Sequence, residues 1–274
     1  MPGMGLCAML RAELAERARK YALAKSLPHC LSYAERPVVC FEPFGDGRHG
    51  NFHPASYRSI CSRADWKLRL AKAHTTARRS LPSSDVGARS ELDSCMSSDA
   101  LLMNIFCNAG VLRSENVARL LGIVPKSHPQ FGLRARVPLA NGRVDATEID
   151  MQTGNLLIEA KLTESDFQHA EKSKLLRYRD FLLVFEAREL PQSDHSFYSY
   201  QLIRNVLAAY DRQAAFCVLL DERRGDLLEA CYAVMRCVKS AELRTACKVL
   251  TWQELSRVLP ASLQLFLAQK YGIS

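Results

Sequence analysis

Apolar residues recur at helical spacing in the first half of the chain and alternate along short runs from about residue 130. The stretch SSDALLMNIFCNAG places Leu101, Leu102, Ile105, Phe106 and Ala109 on one helical face, with Ser97 or Ser98 as N-cap and Gly110 as the stop. A short second helix follows, capped by Ser114, with Val117, Leu120 and Leu121 inward and Gly122 just past its end. Phe131, Leu133, Ala135, Val137 and Leu139 then alternate with Gly132, Arg134 and Arg136, which predicts a strand over 131–139 with a basic opposite face. Residues 144–150 and 156–162 read as two more strands joined by a tight turn around Gly154. A charged stretch to about Asp194 precedes a helix in SFYSYQLIRNVLAAYDR and a β-like run, AAFCVLL. The order is helix, three strands, helix, strand. Beyond Leu220, GDLLEACYAVMRCV and TWQELSRVLP, the latter opening on the capping box Thr251 to Glu254, read as helices that pack the core and carry no chemistry.

The hairpin RVDATEIDMQTGNLLIEAKL, residues 143–162, sets Asp145, Glu159 and Lys161 into half-buried strands. A buried charge must be paired, neutralised or bound to an ion, because leaving it alone costs several kcal/mol. The register decides which charges meet. A Thr153-Gly154 turn would set Glu148 opposite Glu159, an unfavourable pairing of like charges. A three-residue loop, Gln152-Thr153-Gly154, instead sets Asp145 opposite Lys161 and Thr147 opposite Glu159, and is the register expected here. It gathers Asp145, Glu159 and Lys161 on one face, since side chains alternate with period two. Two readings of that cluster stay open: a buried ion pair with a spare acid, or a hard-metal site in which two carboxylates bind Mg²⁺ beside a lysine.

Charge changes the picture of the first third. The 274 residues carry a net charge of +8, and residues 1–90 hold 15 Lys and Arg against 7 Asp and Glu, whereas the remainder is balanced at 22 against 22. Such asymmetry fits a region, here 1–90, that meets a polyanion. In HPASYRSICSRADWKLRLAKAH, Tyr57, Ile60, Cys61, Ala64, Leu68 and Ala71 form one helical stripe, while Arg58, Lys67 and Lys72 fall off it as candidate nucleic-acid contacts. SLPSSDVGARS, residues 80–90, reads as a linker. His49 and His53 are four apart but flanked by Gly and Pro, so phosphate contact or simple exposure is expected there rather than metal binding. The ten cysteines include no C-x-x-C pair, and Cys107, Cys217, Cys231 and Cys237 sit where small hydrophobes would pack, so they are expected reduced and buried. No run reaches the ~18 to 20 apolar residues of a membrane span, and Arg11, Glu13, Glu16, Arg17 and Arg19 are unlike a secretory signal; a soluble, cytoplasmic protein without membrane partners is expected. There is no G-x-G-x-x-G, G-x-x-x-x-G-K or G-x-S-x-G motif, which leaves a nucleotide-dependent or serine-hydrolase metabolic enzyme without support.

Asp145 in RVDATEID, Glu159-Ala160-Lys161 in LLIEAKL and the order of elements together resemble the PD-(D/E)xK nuclease superfamily, the fold of many restriction endonucleases. SSDALLMNIF and YQLIRNVLAAY are similar to a bacterial group classed as restriction endonucleases. The resemblance covers about residues 91–220. It implies an α/β protein with an αβββαβ core, a central mixed sheet flanked by helices; with the charge division, this sets a basic, mainly helical N-terminal region, 1–90, as a nucleic-acid-binding arm ahead of a nuclease-like domain, 91–274. It implies a metal-dependent nuclease, a DNA endonuclease of restriction type, with DNA favoured over RNA as partner and a homodimer as the assembly. Asp145, Glu159 and the Ala160 carbonyl would hold Mg²⁺, or Mn²⁺ in its place. Lys161 would orient the attacking water and Gln201 would bind substrate or a second water, with Arg134 and Arg136 on the nucleic-acid backbone. The sequence departs from the pattern in two places. Val144 stands where a proline often precedes the motif aspartate, and Gln201 is followed four residues later by Asn205 where some branches have tyrosine. An acid on the first helix often assists the metal, and Asp99 or Glu91 would serve. The alternative is a non-catalytic nucleic-acid-binding or assembly module on the same fold.

Overall fold

The computed structural model describes residues 5–32, 37–72 and 90–274, so most of the linker stretch at 80–90 and the end of the basic helix at 73–74 lie outside the described residues. The chain forms two compact units, Met1–Leu120 with Gln253–Ser274, and Leu121–Trp252. The division therefore does not follow the change in charge at residue 90. Its cause lies in the helix Ser98–Phe106, whose polar side chains satisfy backbone groups of the basic region: Asn104 accepts from His53 N at 2.6 Å and donates to Asn51 O at 3.0 Å.

In the first unit the helix Leu6–Ala24 buries Leu10, Leu14, Ala18 and Ala22, one i, i+4 stripe. It packs with the helix Ala261–Tyr271. Two short strands, His29–Leu31 and Val39–Phe41, pair antiparallel. Ser97 caps Ser98–Phe106 by accepting from Ala100 N at 3.1 Å, as expected. The helix ends at Cys107 rather than Gly110, because Asn108 starts a separate turn, Ala109–Leu112, by accepting from Gly110 N.

The basic segment is two helices, Pro54–Cys61 and Ala64–Arg69, broken where Arg63 is extended. The break rotates the second helix, so Trp66 is buried and Leu68, expected inward, is 76% exposed. Arg69 and Lys72 donate to Asp99 at 2.9 and 2.6 Å, and Lys72 also lies 3.4 Å from Glu91. Lys72 is thus tied into the unit by ion pairs, and Asp99 serves that pairing. Arg58 and Lys67 are exposed. His49 is buried rather than exposed, 3.1 Å from Asp93, and accepts from Asn51 N.

The second unit is built on a five-stranded mixed sheet flanked by helices, in the order Cys247–Thr251, Ala215–Leu220, Leu156–Ala160, Glu148–Thr153, Gln130–Arg134. The first three strands run parallel and the last three antiparallel. Cys247–Thr251 was not anticipated; it is short, and Lys248 interrupts its apolar pattern. The run expected as one strand over 131–139 is broken at Arg136, whose φ of +58° turns the chain. Beyond it Val137–Pro138 pairs with Val144–Asp145 in a separate ladder, so the strand expected over 144–150 is also two pieces. Gly122, with φ +66°, ends the helix Glu115–Leu121 as read from the sequence. All ten cysteines are thiols outside any disulfide, and Cys107, Cys217, Cys231 and Cys237 are buried. Among the described residues no helix is long and apolar enough to cross a membrane.

Candidate active site

Glu148–Thr153 alternates half-buried and buried positions, with Ile149, Met151 and Thr153 buried. Thr153 pairs with Leu156, Gln152 with Leu157 and Met151 with Ile158, which leaves a two-residue turn, Gly154-Asn155. Gly154 has φ +55°, where glycine avoids the strain of a Cβ. This register continues to Asp150 opposite Glu159. The ladder itself stops there: Asp150 Oδ2 accepts from Ala160 N at 2.8 Å, so a carboxylate stands where the next backbone carbonyl would be. In a strand the N–H and C=O of one residue share an edge. The Ala160 carbonyl therefore faces the side that Asp150 fills.

Glu159 and Lys161 are 3% and 4% exposed. Lys161 Nζ donates to Glu159 Oε1 at 2.8 Å and to Gln201 Oε1 at 2.9 Å. Asn205 Nδ2 donates to the other carboxylate oxygen, Glu159 Oε2, at 2.8 Å. Gln201 and Asn205 sit four apart on the helix Tyr200–Asp211, and hence on one face of it. Burial works to lower the Lys161 pKa, but the carboxylates of Glu159, then Glu164 and Asp150, outweigh it and raise it above the ordinary lysine value of 10.5. The strand end is pinned from both sides: Lys161 N donates to Leu219 O and Trp252 Nε1 donates to Lys161 O, each at 2.8 Å.

Asp145 does not join this cluster. It accepts from Thr147 and Tyr178, and from Tyr200 O–H at 3.3 Å. Burial would raise its pKa, but the hydrogen bonds from Thr147 and Tyr178 hold it below the ordinary carboxylate value. The expected three-residue loop is therefore corrected to a two-residue turn one step further along the chain, and Asp150 takes the place assigned to Asp145. The physical reason is that the Lys161 charge acts on both carboxylates and offsets a like-charge pairing of the kind that counted against the Thr153-Gly154 turn. Gly-Asn is itself a hairpin turn pair, and reading it as one would have found Asp150. Asn205 was legible through its spacing from Gln201; the part played by Glu164, which accepts from Leu162 N at 2.7 Å, was not. Arg134 and Arg136 are exposed.

An Asn205→Leu substitution is expected to destabilise the protein by about 1.5–3 kcal/mol, because it leaves a buried charged oxygen of Glu159 without its donor. Urea denaturation measures it, and a loss below about 0.5 kcal/mol would show that this hydrogen bond carries no such weight.

Among the described residues no three His, Cys, Asp or Glu side chains are placed to hold a metal ion. Mg²⁺ asks for less, since it is commonly held by one or two carboxylates and keeps several waters. The donors here are oxygens throughout, and the three acids acting on Lys161 outnumber the ammonium. Their chemistry fits a hard divalent cation.

Comparison with protein families matches residues 21–272 to one described as Restriction Endonuclease associating with ARP. No curated protein matches the chain, and no solved structure does. Because the match spans nearly the whole sequence, the protein belongs to the restriction endonuclease-like family described as Restriction Endonuclease associating with ARP.

Proposed function

We propose that Leu121–Trp252 is a nuclease unit of the PD-(D/E)xK type with a restriction endonuclease-like core, hydrolysing phosphodiester bonds of DNA. The observation that carries this reading is the convergence of Asp150, Glu159 and Lys161 at the point where two strands part. Water adds to phosphorus and gives up a proton to solvent, and the bond to the leaving oxygen breaks as that oxygen takes up a proton from solvent in turn. Lys161, its pKa raised, is an ammonium at neutral pH; it donates hydrogen bonds and stabilises charge developing on the phosphate, and it cannot take the proton from water. Gln201 and Glu159 position that ammonium through the oxygens it already touches. Asn205 holds the second oxygen of Glu159 and so sets the carboxylate plane. Mg²⁺, or Mn²⁺ in its place, would be held by Asp150, Glu159 and the Ala160 carbonyl, and when bound supplies a Lewis acid for the phosphate and a more acidic water. The exposed Lys67, Arg134 and Arg136 suit contacts with backbone phosphates, which weaken with salt.

The test is digestion of plasmid, linear duplex and single-stranded DNA with Mg²⁺, Mn²⁺ or EDTA. Cleavage is expected with either metal and none in EDTA. A lysine with a raised pKa contributes its full stabilisation below the ordinary value and loses it only as pH rises through the folded value. Cleavage should therefore show no falling limb from Lys161 between pH 7 and about 10. If no substrate is cut under any condition while DNA is still bound, the non-catalytic module is the correct reading and Glu159–Lys161 is a structural ion pair.

A further inference from the structure

The first unit contains a cavity of about 580 Å³, within the ~300–1,000 Å³ of small-molecule sites. Its walls are aromatic. Tyr21 and Phe266 meet edge to face with centroids 6.1 Å apart, and Tyr57 stacks on Phe52 at 5.5 Å and 27°. Phe44 closes another side. Two cations on its lining, Lys25 and Arg58, are exposed and have no carboxylate partner among the described residues. Arg48 also lines it but is engaged by Asp46 at 2.6 Å. No Asp or Glu is on the lining. His53 Nδ1 is buried without a hydrogen-bond partner, and the ring lies 5.7 Å from that of Phe266. Burial, then the charge of Arg58, lowers the His53 pKa, which keeps the imidazole neutral and able to donate or accept.

Aromatic faces take up planar rings whatever their identity, cations without a carboxylate partner take up anions, and a buried imidazole nitrogen without a hydrogen-bond partner needs a polar edge. One chemical unit has all three. We propose that this cavity binds a nucleotide unit, with the base between the aromatic side chains and its edge at His53, and the phosphate at Lys25 and Arg58. The unit comes either from a free nucleotide or from a base turned out of a nucleic-acid strand. This site involves none of the residues around Lys161 and stands whether or not they cleave DNA.

The experiment uses the full chain in EDTA, so that cleavage plays no part. Binding of a fluorescein-labelled single-stranded oligonucleotide is measured, with competition by the four deoxynucleoside 5′-monophosphates, inorganic phosphate, phenyl phosphate and duplex DNA. Deoxynucleotides that displace the probe at concentrations at least tenfold below phosphate or phenyl phosphate support the site and identify a free nucleotide as a sufficient ligand. A single strand that binds at least tenfold more tightly than duplex, with mononucleotides silent, supports a strand-borne base. In either case Arg58→Ala and Phe44→Ala should each weaken binding roughly tenfold, in line with phosphate and stacking contacts. Arg58 is exposed and its loss does not disturb packing, so it decides where Phe44→Ala fails to fold. Phosphate or phenyl phosphate competing as well as nucleotides, duplex and single strand binding alike with mononucleotides silent, or affinity unchanged in Arg58→Ala, would overturn the proposal.

Discussion

Lys161→Ala is expected to abolish cleavage, to lower the stability of the metal-free protein by about 3–5 kcal/mol, and to leave a protein whose melting temperature Mg²⁺ raises more than it raises that of the wild type. The first effect follows from removing the ammonium that, in the proposed mechanism, would stabilise charge on the phosphate. The second follows from burial. Glu159 is 3% exposed and would keep only the hydrogen bond from Asn205, so its charge would lie in the interior uncompensated. Catalytic and structural roles do not exclude one another at this residue: in the proposed mechanism the ammonium would serve the phosphate while it also offsets the charge of the carboxylates beside it. The third effect separates them. With the ammonium gone, a divalent cation is the remaining source of positive charge, and at a hundredfold excess over its dissociation constant it contributes about 2.7 kcal/mol. Melts of both proteins with and without Mg²⁺, alongside plasmid cleavage, give the answer. A variant that melts like the wild type and still cuts DNA would remove Lys161 from both roles.

Asp150→Asn is expected to reduce cleavage by at least a hundredfold and to weaken Mg²⁺ binding, while Asp145→Asn leaves cleavage within a fewfold of wild type. Asn keeps an oxygen able to accept from Ala160 N, so the strand end is preserved and the change is one of charge. Loss of one of the carboxylates around Lys161 should also leave apo stability unchanged or slightly higher, because repulsion is relieved. At Asp145 the carboxylate serves Thr147 and Tyr178. Its depressed pKa means that it stabilises the fold above the ordinary carboxylate range and loses that contribution as pH falls through the lower folded value. Asp145→Asn should therefore show as a change in acid stability rather than in turnover. Mg²⁺ titration by calorimetry and single-turnover cleavage of both variants test the pair. Cleavage lost in Asp145→Asn and retained in Asp150→Asn would return to Asp145 the role first read from the sequence.

The sequence alone determined what local chemistry determines. Ser97 and Ser114 cap helices because a serine oxygen ahead of an apolar period satisfies free N–H groups, and both do so here. Gly122 ends a helix because glycine bears the left-handed conformation without strain. Leu156, Leu157 and Ile158 form a strand because three consecutive apolar residues suit a position covered on both faces, and the strand Leu156–Ala160 is buried throughout rather than half-buried as expected. Glu159 and Lys161 were legible as neighbours on one face because a spacing of two survives any choice of partner strand, whereas Gln201 was read from the family resemblance.

Tertiary structure decided the remainder. Strand register is a relation between two segments, and one step changes which carboxylate meets Glu159. Pair rules for isolated strands penalise two acids side by side, and only the folded unit shows Lys161 next to both of them. The stripe read along the basic segment assumed one continuous helix, whereas the break at Arg63 depends on Trp66 finding a buried place. Lys72 looked like a free cation until Asp99, 27 residues further along the chain, was brought to 2.6 Å. Likewise the aromatic cavity draws Tyr21, Tyr57 and Phe266 from three distant segments, and no periodicity along the chain links them. Capping and periodicity act within a few residues and can be read in order, whereas charge pairing and cavity formation depend on distances that only the folded chain defines.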